Sequence, residues 1–233
     1  MNTRYDLLLC DADDTLFDFG KAEVNAFDET CAAMGFAATK ELLETYSVIN
    51  KALWKLLEQG GITQKVLRVR RFEQFLEAIG RSDLDAQLMA ETFANSLGRQ
   101  SVPIDGAIEA VARWSRIVPV IIVTNGIARI QHGRMNGSEV RHYIRGMVIS
   151  EEIGAAKPDP KMLEMGMEMA GITDKSRVLM LGDSLSSDIA AAANAGIDAC
   201  WYNPKKNANT KGLPVRYEIT DLDDVDGILL GRD

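Results

Sequence analysis

The N-terminal stretch is Leu7-Leu8-Leu9-Cys10-Asp11-Ala12-Asp13-Asp14-Thr15-Leu16, in which an apolar run passes directly into three carboxylates within four residues. A short uncharged run bounded by polar residues predicts a buried β-strand, and ligands of open α/β sheets bind beyond the carboxyl ends of such strands. Residues i and i+2 of an extended segment lie on the same side, so Asp11 and Asp13 converge on one point. Two convergent carboxylates indicate a cation site, although Asp is also common in turns that end strands.

The length and composition are those of an ordinary globular protein. The chain has 233 residues, of which 46% are hydrophobic and 26% are charged. This length holds one large domain or two small ones. There are 26 Lys and Arg residues against 34 Asp and Glu residues, which gives a net charge of −8. Because the chain is acidic, we expect neither a nucleic acid polymer nor an anionic membrane as its main partner, and any phosphate site must be local.

The three cysteines predict a reducing environment. Cys10, Cys31 and Cys200 are odd in number, widely spaced and mostly surrounded by apolar residues, as expected of reduced core thiols. The N-terminus lacks the basic flank and long apolar region of a secretory signal, and no run reaches the ~18 apolar residues that a membrane helix needs. We therefore expect a cytoplasmic protein that is neither exported nor inserted in a membrane.

A helical segment follows the first predicted strand. After Asp18 the apolar residues recur at helical spacing, with interruptions at Gly35, at Gly60-Gly61 and at Gly80. The spacing predicts four helices, around residues 24–34, 40–58, 66–79 and 84–97. Four helices between a first strand and a later β/α alternation predict a helical module embedded in an α/β domain, with boundaries near Phe17 and Val102.

Beyond this module, polar residues follow the ends of three further predicted strands. They are Thr124 and Asn125 after residues 118–123, Lys157 beyond residues 147–149, and Asp183 and Asp188 after residues 178–181. Because parallel strands end at the same edge of a sheet, we expect these side chains to meet Asp11 and Asp13. Taken singly, each is also compatible with a strand end or a helix cap, and we assign Ser186 and Ser187 to capping.

Together these clusters resemble the motifs of the haloacid dehalogenase-like hydrolase superfamily. The motifs appear in the order Asp11-Ala12-Asp13-Asp14-Thr15-Leu16, Val123-Thr124-Asn125-Gly126, Lys157-Pro158, and Gly182-Asp183 with Asp188. The resemblance covers nearly the whole chain. It implies an α/β fold with two parts, a Rossmann-like core with a parallel sheet (residues 1–16 and 102–233) and an inserted all-helical cap (residues 17–101).

The resemblance also implies phosphoryl transfer through an aspartyl-phosphate. Phosphate monoesters hydrolyse so slowly without a catalyst that a site must position a nucleophile and neutralise spreading negative charge, and a carboxylate can be that nucleophile. In family terms Asp11 attacks phosphorus, while Asp13 protonates the leaving oxygen and later activates water. Mg²⁺, which prefers oxygen ligands, is expected between Asp11, the main-chain carbonyl of Asp13, and Asp183.

Four further residues support the reaction in this scheme. Lys157 supplies a second positive charge, and Thr124 and Asn125 donate hydrogen bonds to phosphate oxygens. Asp188 orients Lys157 or a metal-bound water. A catalytically silent phosphate-binding protein is the alternative from another class, but such a protein has no need of Asp13.

Details of the motifs narrow the expected substrate. An acid two residues after Asp11 favours phosphate esters, since dehalogenases lack it. Asp14 stands where many sugar phosphatases have Gly, and with residues 46–54, 70–73 and 149–152 it resembles the bacterial house-cleaning pyrimidine 5′-nucleotidase subgroup. We therefore expect a small-molecule phosphate ester, a pyrimidine nucleoside 5′-monophosphate, acted on by a monomer or homodimer. A sugar-phosphate phosphatase or phosphomutase of the same superfamily is the alternative.

Substrate specificity is expected to come from the helical insert, because it emerges within a few residues of Asp13 and would act as a lid. Tyr46, Asn50 and Trp54 recur every four residues on one predicted helical face, where Asn50 would hydrogen-bond a base and Trp54 would stack on it. Arg71 offers a planar cation for phosphate or base. The alternatives are packing between helices for the aromatic face and a solvated basic face for Lys65, Arg68, Arg70 and Arg71.

Overall fold

The protein folds around a six-stranded sheet, as seen in a computed structural model that describes residues 3–232. The strands are β1 (Leu7–Cys10), β2 (Val120–Thr124), β3 (Gly146–Ile149), β4 (Val178–Gly182), β5 (Asp198–Tyr202) and β6 (Tyr217–Ile219). Within the described residues they form one sheet in the order β3-β2-β1-β4-β5-β6, and every pair is parallel. The predicted α/β fold with a parallel, Rossmann-like sheet is confirmed.

Strand β1 lies in the interior of the sheet, between β2 and β4, and all of its side chains are apolar and buried. A strand that is covered on both faces shows a continuous apolar run rather than an alternating pattern. Cys10, its last residue, is level with Ile122 of β2 and with Leu181 of β4. This register places the residues that follow β1, β2 and β4 along the same edge of the sheet.

Ten α-helices connect or flank the strands within the described residues. They are α1 (Phe19–Ala33), α2 (Lys40–Glu58), α3 (Gln64–Ala78), α4 (Ala86–Arg99), α5 (Ala107–Trp114), α6 (Ala128–Asn136), α7 (Ser150–Ile153), α8 (Lys161–Ala170), α9 (Ala190–Ala195) and α10 (Asp224–Leu230). Helix α2 has the predicted bounds. Helix α10 begins at Asp224, and before it the Asp221 carboxylate accepts the N–H of Asp223 in a turn.

The chain divides into two compact units. The first unit contains the sheet and comprises the residues up to Phe19, Val102–Ala128, and the chain from Ser138 onward. The second unit is helical and comprises Gly20–Ser101 together with Arg129–Gly137. The sequence had assigned the last of these segments to the core, so the helical unit includes one segment that the pattern did not predict. The identification of the units as catalytic core and cap stays a prediction.

Backbone contact explains why α6 belongs with the helical unit. A Cβ atom at Gly133 would lie 2.6 Å from the carbonyl oxygen of Gly98 in α4, so the two helices can meet here only because residue 133 is glycine. The Ser101 hydroxyl donates to the Arg134 carbonyl oxygen at 2.5 Å, and Arg134 Nε donates to the Gln100 carbonyl oxygen at 3.2 Å. These contacts join α6 to the end of α4.

The centre of the helical unit is an aromatic cluster around Tyr46. This residue is fully buried, and its ring stacks on Phe27 and Phe72 with centroid distances of 5.0 and 5.4 Å. The rings of Phe75 and Phe93 lie 6.1 and 5.5 Å away. Tyr46 therefore packs among aromatic rings, as the alternative expectation had it, and its contact with substrate stays a prediction.

The described residues also bear on two expectations from composition. All three cysteines are buried free thiols, as predicted for core positions. None of the helices in residues 3–232 combines the length and the apolar character that crossing a membrane requires.

Candidate active site

Asp11 is the first residue beyond β1 and is held from several directions. Its main-chain N–H donates to the Leu181 carbonyl oxygen at 2.9 Å, which continues the pairing with β4. Its carboxylate Oδ1 lies 2.5 Å from Lys157 Nζ, and the Thr15 hydroxyl lies 3.5 Å from Oδ2. Asp11 is only 7% exposed. Lys157 fixes its carboxylate, and the pairing with β4 fixes its main chain.

Lys157 is a buried cation placed among oxygen atoms. Its Nζ lies 2.5 Å from Asp11 Oδ1 and 2.6 Å from Asp188 Oδ1, and it donates to the Val123 carbonyl oxygen at 2.6 Å. Burial by itself lowers the pKa of Lys157, but the two carboxylates reverse this effect and hold the pKa above its ordinary value. Lys157 therefore remains protonated at neutral pH.

Asp188 reaches Lys157 through an irregular turn of the chain. Residues 185–189 form a single π-helical turn after β4, an arrangement that often occurs at functional sites. Asp188 Oδ2 accepts the N–H of Ser184 at 3.0 Å, while Oδ1 faces Lys157. A Cβ atom at Gly182 would overlap the Asp188 carboxylate, so only glycine fits at the end of β4. The sequence showed this glycine as part of a motif but not its packing role.

Asp183 is half-buried beside the other acids. Burial, together with the carboxylates of Asp188 and Asp14, raises the pKa of Asp183 to about 7. Burial also raises the pKa of Asp11, an effect that Asp188 and Asp183 increase and Lys157 opposes. The indole N–H of Trp201 donates to the Asp183 carbonyl oxygen at 2.7 Å. No sequence signal linked Trp201 to Asp183.

The acid cluster fits a hard divalent cation. One carboxylate oxygen from each of Asp11, Asp183 and Asp188 lies within 4.8 Å of the other two. Carboxylate oxygens are the ligands that Mg²⁺ prefers, and the raised pKa values indicate negative charge that a cation would relieve. Asp11 and Asp183 are in the predicted ligand set, whereas the third carboxylate is Asp188 and Asp13 was expected to contribute only its main-chain oxygen.

The side chains at the end of β2 and just beyond it have different partners. The hydroxyl oxygen of Thr124 accepts the N–H of Gly126 at 3.2 Å, and the residue is 1% exposed. The Asn125 carboxamide instead binds the main chain of Lys157. Its Oδ1 accepts the Lys157 N–H at 2.7 Å and its Nδ2 donates to the Lys157 carbonyl oxygen at 2.8 Å. Asn194 of α9 donates to the next carbonyl oxygen, that of Pro158, at 2.9 Å.

Asp13 and Asp14 differ although they are adjacent. Asp13 is half-buried and forms an isolated bridge with Phe17. Asp14 is exposed and has a φ of 58°, in the left-handed region that Asp tolerates better than most residues. Its Oδ1 accepts the N–H of Phe19, the first residue of α1, at 3.1 Å. Asp14 therefore has the turn role that was the alternative for the acidic stretch, while Asp11 lies beside Lys157, Asp183 and Asp188.

The residues predicted for substrate specificity are mostly buried in the helical unit. Asn50 and Arg71 are 5% and 3% exposed. Asn50 Nδ2 donates to Glu23 Oε1 at 2.8 Å, and Arg71 Nη1 donates to Asn50 Oδ1 at 3.3 Å. The Arg71 guanidinium lies over the Phe93 ring at 4.8 Å, so Arg71 is not part of a solvated face. Trp54 is half-buried.

A comparison with protein families identifies the family of the chain. The family model described as haloacid dehalogenase-like hydrolase matches residues 5–196, which include every candidate catalytic residue. The chain belongs to this hydrolase family. The prediction that the protein is an enzyme of this superfamily is therefore confirmed.

Named relatives of this hydrolase match along almost the whole chain. Pyrimidine 5′-nucleotidase YjjG of Escherichia coli (strain K12) is 31% identical, with 97% of this chain and 98% of the relative covered. Pyrimidine 5′-nucleotidase PynA of Streptococcus pneumoniae is 34% identical, with 95% and 93% covered. The crystal structure of the Bacillus subtilis putative HAD-hydrolase YfnB, bound to magnesium and described as revealing interdomain movement, has a TM-score of 0.89 at 30% identity, with 97% and 99% covered. Two of these relatives are thus named for nucleotidase activity.

Proposed function

We propose that the protein is a Mg²⁺-dependent phosphatase that hydrolyses pyrimidine nucleoside 5′-monophosphates through an aspartyl-phosphate. The observation that carries the proposal is the position of Asp11, a carboxylate at a strand end beside the buried Lys157 cation and two further acids. Two relatives named pyrimidine 5′-nucleotidase support the substrate class.

The residues of the site divide the reaction into two displacements. The Asp11 carboxylate attacks phosphorus, the bond from phosphorus to the ester oxygen breaks, and Asp13 gives its proton to the leaving alcohol. Asp13 then takes a proton from water, whose oxygen attacks phosphorus and releases inorganic phosphate together with the Asp11 carboxylate. Each displacement is balanced, because the proton that Asp13 gives in the first is recovered in the second.

Lys157, together with a cation held by the acids, would lower the electrostatic cost of the reaction. Lys157 already holds one oxygen of Asp11, so its positive charge lies where an incoming phosphoryl group adds negative charge. Thr124 lies at the end of the neighbouring strand and would donate to a phosphoryl oxygen. When bound by Asp11, Asp183 and the main-chain carbonyl of Asp13, Mg²⁺ would supply further positive charge, and Asp188 would orient Lys157.

A sugar-phosphate phosphatase is the second candidate, and the helical unit provides the reason. Tyr46 is buried, and the Asn50 carboxamide is bound to Glu23 and Arg71. Neither residue offers its side chain to a nucleobase in this arrangement. Of the predicted base contacts, Trp54 is the one that keeps substantial exposure, so recognition of the base rests on it in the proposal.

A substrate panel tests the proposal. The protein is assayed with pyrimidine and purine nucleoside 5′-monophosphates, hexose phosphates and p-nitrophenyl phosphate, with Mg²⁺ or with excess chelator. We expect pyrimidine nucleotides to give the highest kcat/KM, no turnover in chelator, and no turnover by Asp11→Asn. Preference for hexose phosphates would favour the second candidate. Turnover that persists in chelator or in Asp11→Asn, with deamidation excluded, would contradict the mechanism.

A further inference from the structure

The side chain of Asn125 forms two hydrogen bonds with the main chain of one residue, Lys157, one to its N–H and one to its carbonyl oxygen. Oδ1 accepts the Lys157 N–H at 2.7 Å, and Nδ2 donates to the Lys157 carbonyl oxygen at 2.8 Å. A carboxamide is suited to this because it carries a donor and an acceptor at a fixed separation in one plane. The contact joins positions 32 residues apart in the chain.

This pair of hydrogen bonds limits which other groups the Asn125 side chain can bind. Its two N–H groups are the only donors of the carboxamide, and Nδ2 has the Lys157 carbonyl oxygen at 2.8 Å and the Ser187 hydroxyl at 3.4 Å. Oδ1 is an acceptor and therefore has no proton to offer a phosphate oxygen. The polar atoms of the side chain are thus used to bind the segment that carries Lys157.

Lys157 is the residue that benefits from this arrangement. Its Nζ must reach Asp11, Asp188 and the Val123 carbonyl oxygen at the same time. A lysine side chain has four rotatable bonds, so the place of its ammonium group is well defined only when the main chain is also fixed. Asn125 fixes the main chain at Lys157 itself, and Asn194 holds the following carbonyl oxygen.

We propose that Asn125 is a positioning residue that acts on phosphoryl transfer through Lys157 and is not a phosphate ligand. The inference rests on the proposed function, because Lys157 has a catalytic role only if the site transfers phosphoryl groups. It replaces the expectation that the Asn125 side chain donates to phosphate, and it leaves that task to Thr124.

A double-mutant cycle tests the inference, with p-nitrophenyl phosphate and Mg²⁺ as the assay. Asn125→Ala is measured in the wild-type background and in Lys157→Met, which keeps the side-chain length and removes the charge. We expect Asn125→Ala to lower kcat about 10- to 100-fold when Lys157 is present, as typical of residues that orient a functional group. In the Lys157→Met background we expect almost no further loss, because the group that Asn125 positions is gone.

Asn203 provides a matched control, because its carboxamide forms the same pair of hydrogen bonds with the main chain of Asn207. Its Oδ1 accepts the Asn207 N–H and its Nδ2 donates to the Asn207 carbonyl oxygen, both at 2.9 Å. Asn203→Ala should lower Tm by an amount similar to Asn125→Ala while leaving kcat nearly unchanged in both backgrounds. If Asn203→Ala lowered kcat as much as Asn125→Ala, the loss would be a general effect of removing such a pair of hydrogen bonds, and the inference would be overturned.

The outcomes separate this inference from the proposed function. Losses for Asn125→Ala and Lys157→Met that multiply in the double variant would mean that Asn125 acts independently of Lys157, and the inference would be wrong while phosphatase activity stands. Absence of phosphatase activity in the wild type would instead remove the proposed function. Asn125→Asp, which keeps an acceptor for the Lys157 N–H but not the donor, serves if the alanine variant does not fold, and the same test of independence applies to it.

Discussion

Lys157 carries a positive charge in a buried position, and two carboxylates keep it there. Removing a charge from such a cluster leaves its partners uncompensated, which costs more than the loss of an exposed ion pair. The negative charge of Asp11 and Asp188 would then repel an incoming phosphate instead of being balanced. The chemical importance of Lys157 follows from its surroundings rather than from the residue type alone.

Lys157→Met is expected to lower kcat about 10²- to 10³-fold, the typical effect of deleting one strong electrostatic partner of a transition state. Lys161→Met is the matched control, because Lys161 is exposed and lies in the first turn of α8. Steady-state kinetics with p-nitrophenyl phosphate and saturating Mg²⁺ measure both. Equal kcat values for Lys157→Met and the control would place Lys157 outside the chemistry.

Asp14 combines two local effects that substitutions can separate. Its φ of 58° costs a non-glycine residue about 1 kcal/mol, while its carboxylate accepts the N–H of Phe19 at the start of α1, a contact also worth about 1 kcal/mol. Asp14→Ala loses the contact and keeps the strain, so the free energy of unfolding should fall by about 1 kcal/mol. Asp14→Gly loses the contact but relieves the strain and should be nearly neutral.

Urea denaturation of the two Asp14 variants distinguishes these terms. The expected order of stability is wild type close to Asp14→Gly, with Asp14→Ala lowest. If the alanine and glycine variants were equally stable, the left-handed conformation of Asp14 would carry no cost.

At the scale of elements, the crossing of α4 and α6 depends on one glycine, Gly133. The main chains of Gly98 and Gly133 approach so closely that any side chain at Gly133 must displace α4. Glycine is otherwise unfavourable inside a helix because of its conformational freedom. The close approach explains the presence of glycine at position 133.

Gly133→Ala should therefore lower the free energy of unfolding by about 1–3 kcal/mol, the usual cost of overpacking. Gly227→Ala in α10 is the control, because a Cβ atom there has no neighbour within 4 Å and the added helix propensity should stabilise by ~0.5–1 kcal/mol. Denaturant midpoints and slopes for both variants check the opposite signs. A stabilising Gly133→Ala would mean that α4 and α6 separate readily.

At the scale of the whole molecule, stability should depend on pH and on Mg²⁺ together. The folded protein holds the pKa of Asp183 at about 7, above the ~4 of an unfolded chain. Between these values the folded state binds more protons than the unfolded state, so the stability of the metal-free protein falls as the pH rises from about 4 to 7. Above pH 7 Asp183 is ionised and a cation can bind it without displacing a proton.

Mg²⁺ is accordingly expected to raise Tm more at pH 8 than at pH 6. Thermal denaturation at both pH values, with Mg²⁺ or with chelator, measures the effect. Asp183→Asn should be more stable than the wild type in chelator at pH 8 and should lose most of the response to Mg²⁺. An equal Mg²⁺ shift at both pH values would exclude Asp183 as a metal ligand that titrates near neutrality.

The sequence by itself determined the features that depend on neighbouring residues. The apolar run before Asp11 predicted the central strand, helical spacing predicted α2, and the acids appeared at the ends of their strands. These patterns are readable because a strand or helix imposes a period of about 2 or 3.6 residues on its own side chains. The resemblance to the family's motifs added the expected chemistry, and the family model confirmed the family.

Only the tertiary structure decided which side chains share a partner. Asn125 proved to bind the Lys157 main chain, Trp201 to hold Asp183, and Tyr46 to fill an aromatic core. Segment 129–137 joined the helical unit through the contact of Gly98 with Gly133. Such contacts link residues far apart in the chain and depend on the register of strands and the crossing of helices. A local sequence period carries no information about that geometry, because the partner is chosen by packing.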